Sequence, residues 1–149
     1  MSTRIAPEKL AALVSNVTET MCGMSFQMTG TYPAFHPDAR TAALTIEGPK
    51  PIMVALSADP ASCSAIGEAM FGLPADQIEP GMIEDVLREL VNMTAGQVKQ
   101  AMAVDDALGL PSIVTEIDLL KVLDQPKISN TSLRAGGVKL VLWVGPRAP

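Results

Sequence analysis

The longest helical pattern of the chain covers about residues 80–104 and constrains the fold most. At about 100° per residue, its aliphatic side chains share one arc, which predicts a helix with a single buried stripe. The members of this stripe are Val86, Leu87, Leu90, Val91, Val98 and Met102. A helix with such a stripe has to bury it against another element, so it must pack on a sheet or on other helices.

Two shorter segments also predict helices. Residues 7–23 carry apolar side chains at helical spacing and open with Pro7, which suits the first helical turn. The segment DPASCSAIGEAMFG predicts a helix that Asp59 caps and Gly72 stops in a left-handed conformation. Pro111, within LGLPSIV, must end the long helix because proline cannot continue it cheaply.

The remaining patterns are extended. Strands or extended segments are predicted at residues 24–31, 41–47 and 51–57. The stretch SNTSLRAGGVKLVLWVG predicts two more strands joined around Gly136 and Gly137, and the last, which contains Trp143, has the composition of a central strand. Residues 115–127 show no clear pattern. This order favours one α+β domain over residues 1–149, with helices packed on one face of a mainly antiparallel sheet.

Composition narrows the classes of partner. The chain has 48 % apolar residues and a formal charge of −5, with a pI near 4.7. It has no cluster of Lys and Arg, so we expect no nucleic-acid partner and no binding to an anionic membrane surface. Charged residues interrupt the N-terminal segment, and no apolar window reaches membrane-spanning length. These features predict a cytoplasmic protein.

Cysteine and histidine are too sparse to predict a metal site. Cys22 and Cys63 are the only cysteines, and without an export signal we expect both to be reduced and buried. The single histidine, His36, lies in a loop between two prolines, and no CxxC or HExxH spacing occurs. Ser, Cys and His form no recognisable nucleophilic pattern, although such triads assemble in space and sequence spacing cannot exclude them.

A polar row lies opposite the buried stripe of the long helix. Its members are Asp85, Glu89, Asn92 and Gly96, flanked by Arg88, Lys99 and Gln100. Glycine costs about 1 kcal/mol relative to alanine inside a helix, and asparagine several tenths, so a purely solvated face would favour other residues. The row is therefore a candidate contact surface, and an ordinary solvated face is the alternative. Gly96 allows either close approach of another molecule or close packing against a neighbouring strand.

The same residues carry a family resemblance. The stretch DVLRELVNMTAG gives Asp85-x-x-x-Glu89-x-x-Asn92, which resembles the signature of the CheC/CheX/FliY family of bacterial chemotaxis phosphatases. The run NMTAGQVKQAM and the later LGLPSIV resemble CheX-type members in particular. The likeness covers most of the chain in element order, from about residue 8 to 145, but only the long helix is specific in its motif. It implies the CheC/CheX fold.

The first helix contains an echo of this motif. VTETMCGM is similar to the N-terminal helix of CheX, and SNVTETMC places Ser15, Glu19 and Cys22 at the spacing of Asp85, Glu89 and Asn92. The echo fits a family built by duplication of a helix-plus-strands unit, and thus a degenerate internal repeat. Because Cys22 stands in place of asparagine, we expect the first copy to be catalytically silent.

The resemblance implies an activity and site roles. Members of this family remove the phosphoryl group from the aspartyl phosphate of a CheY-like response regulator, whose own receiver domain holds Mg²⁺; this chain would bind no cofactor itself. By the resemblance, Asn92 would position the attacking water and Glu89 would pair with a lysine of the receiver. Partner-binding roles fall to Asp85, Arg88, Gly96 and Lys99.

The sequence leaves alternatives to the phosphatase function open. A chain of the same fold could bind a receiver, or act as a signalling scaffold, without hydrolysing anything, although docking alone would not require Asn92. The polar row could also be idle on a structural or dimerisation domain. CheX is a dimer through its sheet, so a homodimer of this chain is open, as is the choice of response regulator and pathway.

Overall fold

The computed structural model describes residues 5–30, 38–115, 118–119, 121 and 129–147. The helices are α1 (Pro7–Cys22), α2 (Pro60–Phe71) and α3 (Pro80–Ala101). The strands are β1 (Gln27–Gly30), β2 (Arg40–Ile46), β3 (Ile52–Ala58), β4 (Ser112–Val114), β5 (Ser129–Ala135) and β6 (Val138–Pro146). A short 3-10 turn at Ala75–Gln77 precedes α3.

The strands form one antiparallel sheet. Their order is β1-β5-β6-β3-β2-β4, and every neighbouring pair runs antiparallel. Strand β6 lies between β5 and β3, which confirms the prediction of a central last strand. The register places Leu142 of β6 opposite Leu56 of β3 and Thr131 of β5. Because β5 and β6 meet at the tight turn after Ala135, the two C-terminal strands form the predicted hairpin.

The three helices cover one face of this sheet, as predicted. They share one apolar core with alternate strand residues, which include Ala42, Leu44, Ile46, Val54, Leu56, Leu140 and Leu142. The predicted stripe of α3 is buried in this core, apart from Met102, which is only partly buried. Leu90 and Val91 are fully buried near the middle of α3, so the helix is held firmly against the sheet.

The opposite face of the sheet is also buried, which the sequence pattern did not predict. Leu119 packs there on a second apolar cluster, whose other buried members are Ala43, Met53, Ala55, Val141 and Trp143. The Trp143 Nε1 donates a hydrogen bond to Ser57 Oγ at 3.1 Å, and Ser57 Oγ lies 2.6 Å from Thr41 Oγ1. Hydrogen bonds between side chains therefore satisfy polar groups under this cluster.

Local capping chemistry explains the helix boundaries. Asp59 Oδ1 accepts a hydrogen bond from Ser62 N at 2.7 Å, and Gly72 ends α2 with a φ of 66°, so both predicted boundaries are confirmed. Helix α3 ends at Ala101, three residues before the predicted position. The chain leaves the helical path there, and Ala103 adopts a left-handed φ of 55°.

Strand β4 was missed by the sequence analysis, which predicted only a break around Pro111. Ser112 pairs with Ala43 of β2, and the isolated bridge between Leu108 and Ile46 continues this edge. Three residues, 109–111, thus stand opposite two, 44–45, which is the arrangement of a β-bulge. The segment is short and contains proline, so its pairing with β2, rather than any local pattern, defines it as a strand.

The cysteines match the predictions only in part. Both are free, but Cys63 is buried whereas Cys22 is half-buried, so the prediction that Cys22 is buried was wrong. Cys22 lies in the last turn of α1, directly before the left-handed Gly23 that ends the helix. His36 and most of residues 115–127 lie outside the described residues.

Candidate functional site

The predicted polar row lies on the outer side of α3. Asp85 and Glu89 are exposed, and Asn92 and Gly96 are partly exposed. Residues on the opposite side of the helix, such as Leu90 and Val91, are buried in the core. One stripe of the helix is therefore anchored while the opposite stripe presents polar groups to the surroundings.

Glu89 and Asn92 form the chemically useful part of this row. Neither side chain makes a hydrogen bond or ion pair with the part of the chain that the structure describes. Their positions are three residues apart, so their Cα atoms are separated by about 4.5 Å along the helix axis. A carboxylate and a carboxamide thus stand one turn apart on a buried scaffold, both available to another molecule.

Asp85 and Arg88 differ from this pair because they bind each other. Arg88 Nη1 lies 2.9 Å from Asp85 Oδ1, and the two side chains are 38 % and 76 % exposed. Exposed pairs of this kind contribute about 0–1 kcal/mol to stability. The ion pair therefore orients Arg88 along the row more than it stabilises the fold.

Gly96 has no packing reason to be glycine. A Cβ built on Gly96 meets no atom of the described residues within 4 Å, so the alternative of close packing against a strand was wrong. Gly67 of α2 shows the contrast, since a Cβ there would lie 2.7 Å from Ile83 Cδ1. A Cβ at Gly67 would force the Ile83 side chain to shift, whereas Gly96 leaves a gap on the open side of α3.

A surface depression adjoins the row at the C-terminal end of α3. It has a volume of about 550 Å³. Its lining consists of Gly96, Lys99, Gln100, Ala103, Val104, Asp105 and Leu108. Lys99 makes no ion pair with the described part of the chain. The row therefore continues, through Gly96 and Lys99, into a concave surface.

The equivalent positions of α1 are used inside the protein. Ser15 Oγ accepts a hydrogen bond from Phe26 N at 3.0 Å, and Ser25 Oγ donates to Glu19 Oε1 at 2.5 Å. Cys22 Sγ donates to the carbonyl oxygen of Thr18 at 3.2 Å. Ser15 and Glu19 thus hold the chain that follows α1, whereas Glu89 and Asn92 have no such partners among the described residues.

Two contacts fix the start of α3. Arg40 of β2 donates a hydrogen bond from Nη1 to the carbonyl oxygen of Pro80 at 3.1 Å. Met82 N donates to the carbonyl oxygen of Glu79 at 3.0 Å, which closes the first turn. A site on a helix held in this way keeps its geometry better than a site on a loop.

The described residues contain no group of three or more His, Cys, Asp or Glu side chains placed to hold a metal ion. None of the helices in the described ranges has both the length and the apolar character needed to cross a membrane.

Comparison with known proteins places the chain in a family. Residues 40–129, more than half of the chain, match the family described as chemotaxis phosphatase CheX. The chain belongs to the CheX family. The matched range contains all of α3 and its polar row. The resemblance inferred from the sequence is therefore confirmed, and so is the predicted class of activity, a phosphatase of bacterial chemotaxis.

Solved structures share the CheX fold over nearly the whole chain. CheX from Desulfovibrio desulfuricans is 18 % identical with a TM-score of 0.69, covering 95 % of this chain and 99 % of its own. CheX from Vibrio vulnificus is 14 % identical with a TM-score of 0.69, covering 95 % and 99 %. A CheX-CheY-BeF3-Mg²⁺ complex from Borrelia burgdorferi gives 13 % identity and a TM-score of 0.73, covering 97 % and 100 %. A search of curated proteins found no match.

Proposed function

We propose that this chain hydrolyses the aspartyl phosphate of a CheY-like response regulator, with Asn92 as the residue that positions the attacking water and Glu89 as the residue that binds the receiver. The family supplies the class of activity. The CheX of Borrelia burgdorferi, which shares this fold, forms a complex with CheY, BeF3 and Mg²⁺. BeF3 is a chemical stand-in for a phosphoryl group, which supports a phosphorylated receiver as the partner.

One observation carries the assignment to these two residues. Glu89 and Asn92 lie one turn apart on the outer stripe of α3 and have no partner in the described part of the chain. Their counterparts on α1, Glu19 and Cys22, are bonded internally. The α3 pair therefore provides the free acceptor and donor groups that an external phosphoryl site could use.

Hydrolysis of the aspartyl phosphate depends more on the position of the attacking water than on a strong acid or base. In the hydrolysis, the water oxygen forms a bond to phosphorus, the bond from phosphorus to the aspartyl oxygen breaks, and the products are a carboxylate and inorganic phosphate. The Mg²⁺ held by the receiver supplies charge neutralisation. The carboxamide of Asn92 can hold the water in line through hydrogen bonds, and it does so without a titrating group.

Glu89 has the complementary role of holding the helix in place. A carboxylate that pairs with a receiver lysine makes a charge-assisted hydrogen bond, worth about 1.5–3 kcal/mol when water is excluded. Asp85 supports the row through its ion pair with Arg88. Gly96 and Lys99 extend the contact, since Gly96 allows a close approach and Lys99 offers a cation to an anionic partner.

The same proposal includes an assembly and a location. Strand β1 ends the sheet on the side away from β4, so pairing along the β1 edge would give a homodimer through the sheet. Molecular mass in solution tests that assembly directly. A response regulator works in the cytoplasm, and the proposed partner therefore implies a cytoplasmic location for this chain.

The experiment measures phosphate release from several phosphorylated CheY-like receivers with Mg²⁺, in the presence of wild type or Asn92→Ala. We expect only the wild type to accelerate release, because the variant cannot orient the water. Asn16→Ala is the matched control, since Asn16 is an exposed asparagine on α1. If the wild type binds a receiver but does not accelerate release, the chain is a docking module and the proposal is wrong.

A further inference from the structure

We infer that the receiver-binding surface extends past the end of α3 onto the bulged edge segment, where Leu110 serves as an apolar anchor for the partner. The inference rests on the proposed function, because the occupant is the same phosphorylated receiver domain. It adds a binding residue on a different structural element from the polar row, 18 positions after Asn92.

The first observation is the exposure of Leu110. Leu110 is 90 % exposed, whereas the other large exposed apolar residues in the described part of the chain, Met28, Phe71 and Leu73, range from 36 % to 41 %. Single exposed apolar residues are common on protein surfaces and need no explanation by themselves. A leucine with almost its whole surface in water therefore becomes informative only through its setting.

The second observation is that hydrogen bonds hold the backbone on both sides of this leucine. Gly109 N donates a hydrogen bond to the carbonyl oxygen of Thr45 at 2.7 Å, immediately before Leu110. Two residues after it, Ser112 pairs with Ala43 in the sheet. The bulge is thus fixed to β2 on both sides, and bulges at sheet edges commonly redirect a side chain. A partner that covers Leu110 therefore has little backbone left to order.

The third observation is continuity with the candidate site. Leu108 lines the depression at the end of α3 together with Gly96 and Lys99. Leu110 follows two residues later in an extended segment, so its Cα lies within about 7 Å of the Leu108 Cα. One partner that covers Gly96 can therefore reach the depression and the bulge at the same time.

Charge favours the receiver as the occupant. Lys99 lines the depression without an ion pair in the described part of the chain, and a phosphorylated carboxylate is strongly anionic. Asp105 lines the same depression but lies beyond the end of α3, next to the turn at Ala103. The gap above Gly96 fits a close approach by a folded domain. The surface therefore combines a cation, a gap and an apolar anchor beside the catalytic pair.

The test compares binding and turnover for Leu110→Ser and the wild type. Burial of a leucine side chain is worth about ten- to a hundredfold in an equilibrium constant. We expect the Kd for a BeF3-loaded receiver to rise by at least about tenfold, while the hydrolysis rate at saturation stays that of the wild type. Phe71→Ser is the matched control, because Phe71 is exposed at the end of α2 and should not affect the Kd.

The outcomes separate this inference from the proposed function. If Leu110→Ser leaves the Kd unchanged while Asn92→Ala abolishes turnover, Leu110 is not an anchor and the proposed function stands. A wild type that binds through Leu110 but does not hydrolyse supports the anchor and overturns the catalysis. If Leu110→Ser changes the molecular mass in solution without changing the Kd, Leu110 joins copies of this chain and the inference is wrong.

Discussion

Replacing Gly96 by alanine should make the protein more stable and less active. Gly96 lies in the interior of α3, and a Cβ at this position meets no atom within 4 Å. The methyl group therefore fits without any internal adjustment. The same methyl group would fill the gap that we assign to the close approach of the receiver.

The expected gain in stability follows from helix propensity. Alanine is favoured over glycine by about 0.8–1.0 kcal/mol inside a helix, because glycine loses more backbone entropy on folding. For a chain of this size, a gain of about 1 kcal/mol raises Tm by about 2–4 °C. The free energy of unfolding in urea should rise by the same amount.

Two other glycines provide controls for Gly96→Ala. Gly81→Ala also adds a methyl group into open space on α3, but far from the depression, so it should leave phosphate release unchanged. Gly67→Ala should gain less stability than Gly96→Ala, because the added Cβ would lie 2.7 Å from Ile83 Cδ1 and that side chain has to shift. Urea unfolding and receiver dephosphorylation are measured on all three variants.

Two results for Gly96→Ala would contradict these expectations. A Gly96→Ala protein with the expected higher Tm and an unchanged Kd for the receiver would show that no partner approaches closely at this position. A lower Tm would show that the space around Gly96 is not open.

Two further predictions concern the core. Burial raises the pKa of the Cys63 thiol to about 11, so at pH 8 only about one thiol in a thousand is a thiolate. A thiol reagent should therefore modify half-buried Cys22 first, even though burial also raises the pKa of Cys22. Equal rates of modification at the two cysteines would contradict the placement of Cys63. Leu90→Ala should lower the free energy of unfolding by about 2–5 kcal/mol, since Leu90 is fully buried, and a loss below about 1 kcal/mol would contradict the packing of α3.

Residues with local chemistry were predictable from the sequence. Asp59 and Gly72 bound α2 because a side-chain cap and a left-handed glycine act within one turn of the helix. The period of α3 placed its stripe in the core for the same reason, since helical geometry alone fixes which side chains share a face. The last strand was identified as central from its apolar composition.

Features that depend on distant residues were not predictable. Strand β4 exists because Ser112–Val114 meets β2, and three residues beside a proline carry no strand pattern. Ala103 ends the helical path without a glycine signal. The exposure of Leu110 depends on a bulge defined by that same pairing.

In the candidate site, too, local features were predictable from the sequence and tertiary contacts were not. The helical period predicted which side chains share the row, and the spacing of Asp85 and Arg88 allows their ion pair. The sequence could not show that Glu89 lacks a partner in the described part of the chain whereas Glu19 is bonded to Ser25, because that hydrogen bond forms only after the turn at Gly23. The difference between the two motif copies is therefore a tertiary one.

The central claim is that Asn92 acts on the water and Glu89 on binding. The most direct measurement is the rate of receiver dephosphorylation against the concentration of wild type, Asn92→Ala and Glu89→Ala, with Glu68→Ala of α2 as a control for loss of an exposed carboxylate. We predict that Asn92→Ala loses the saturating rate but keeps the half-saturation concentration, whereas Glu89→Ala raises that concentration by about tenfold or more. A saturating rate for Asn92→Ala equal to that of the wild type would contradict the account.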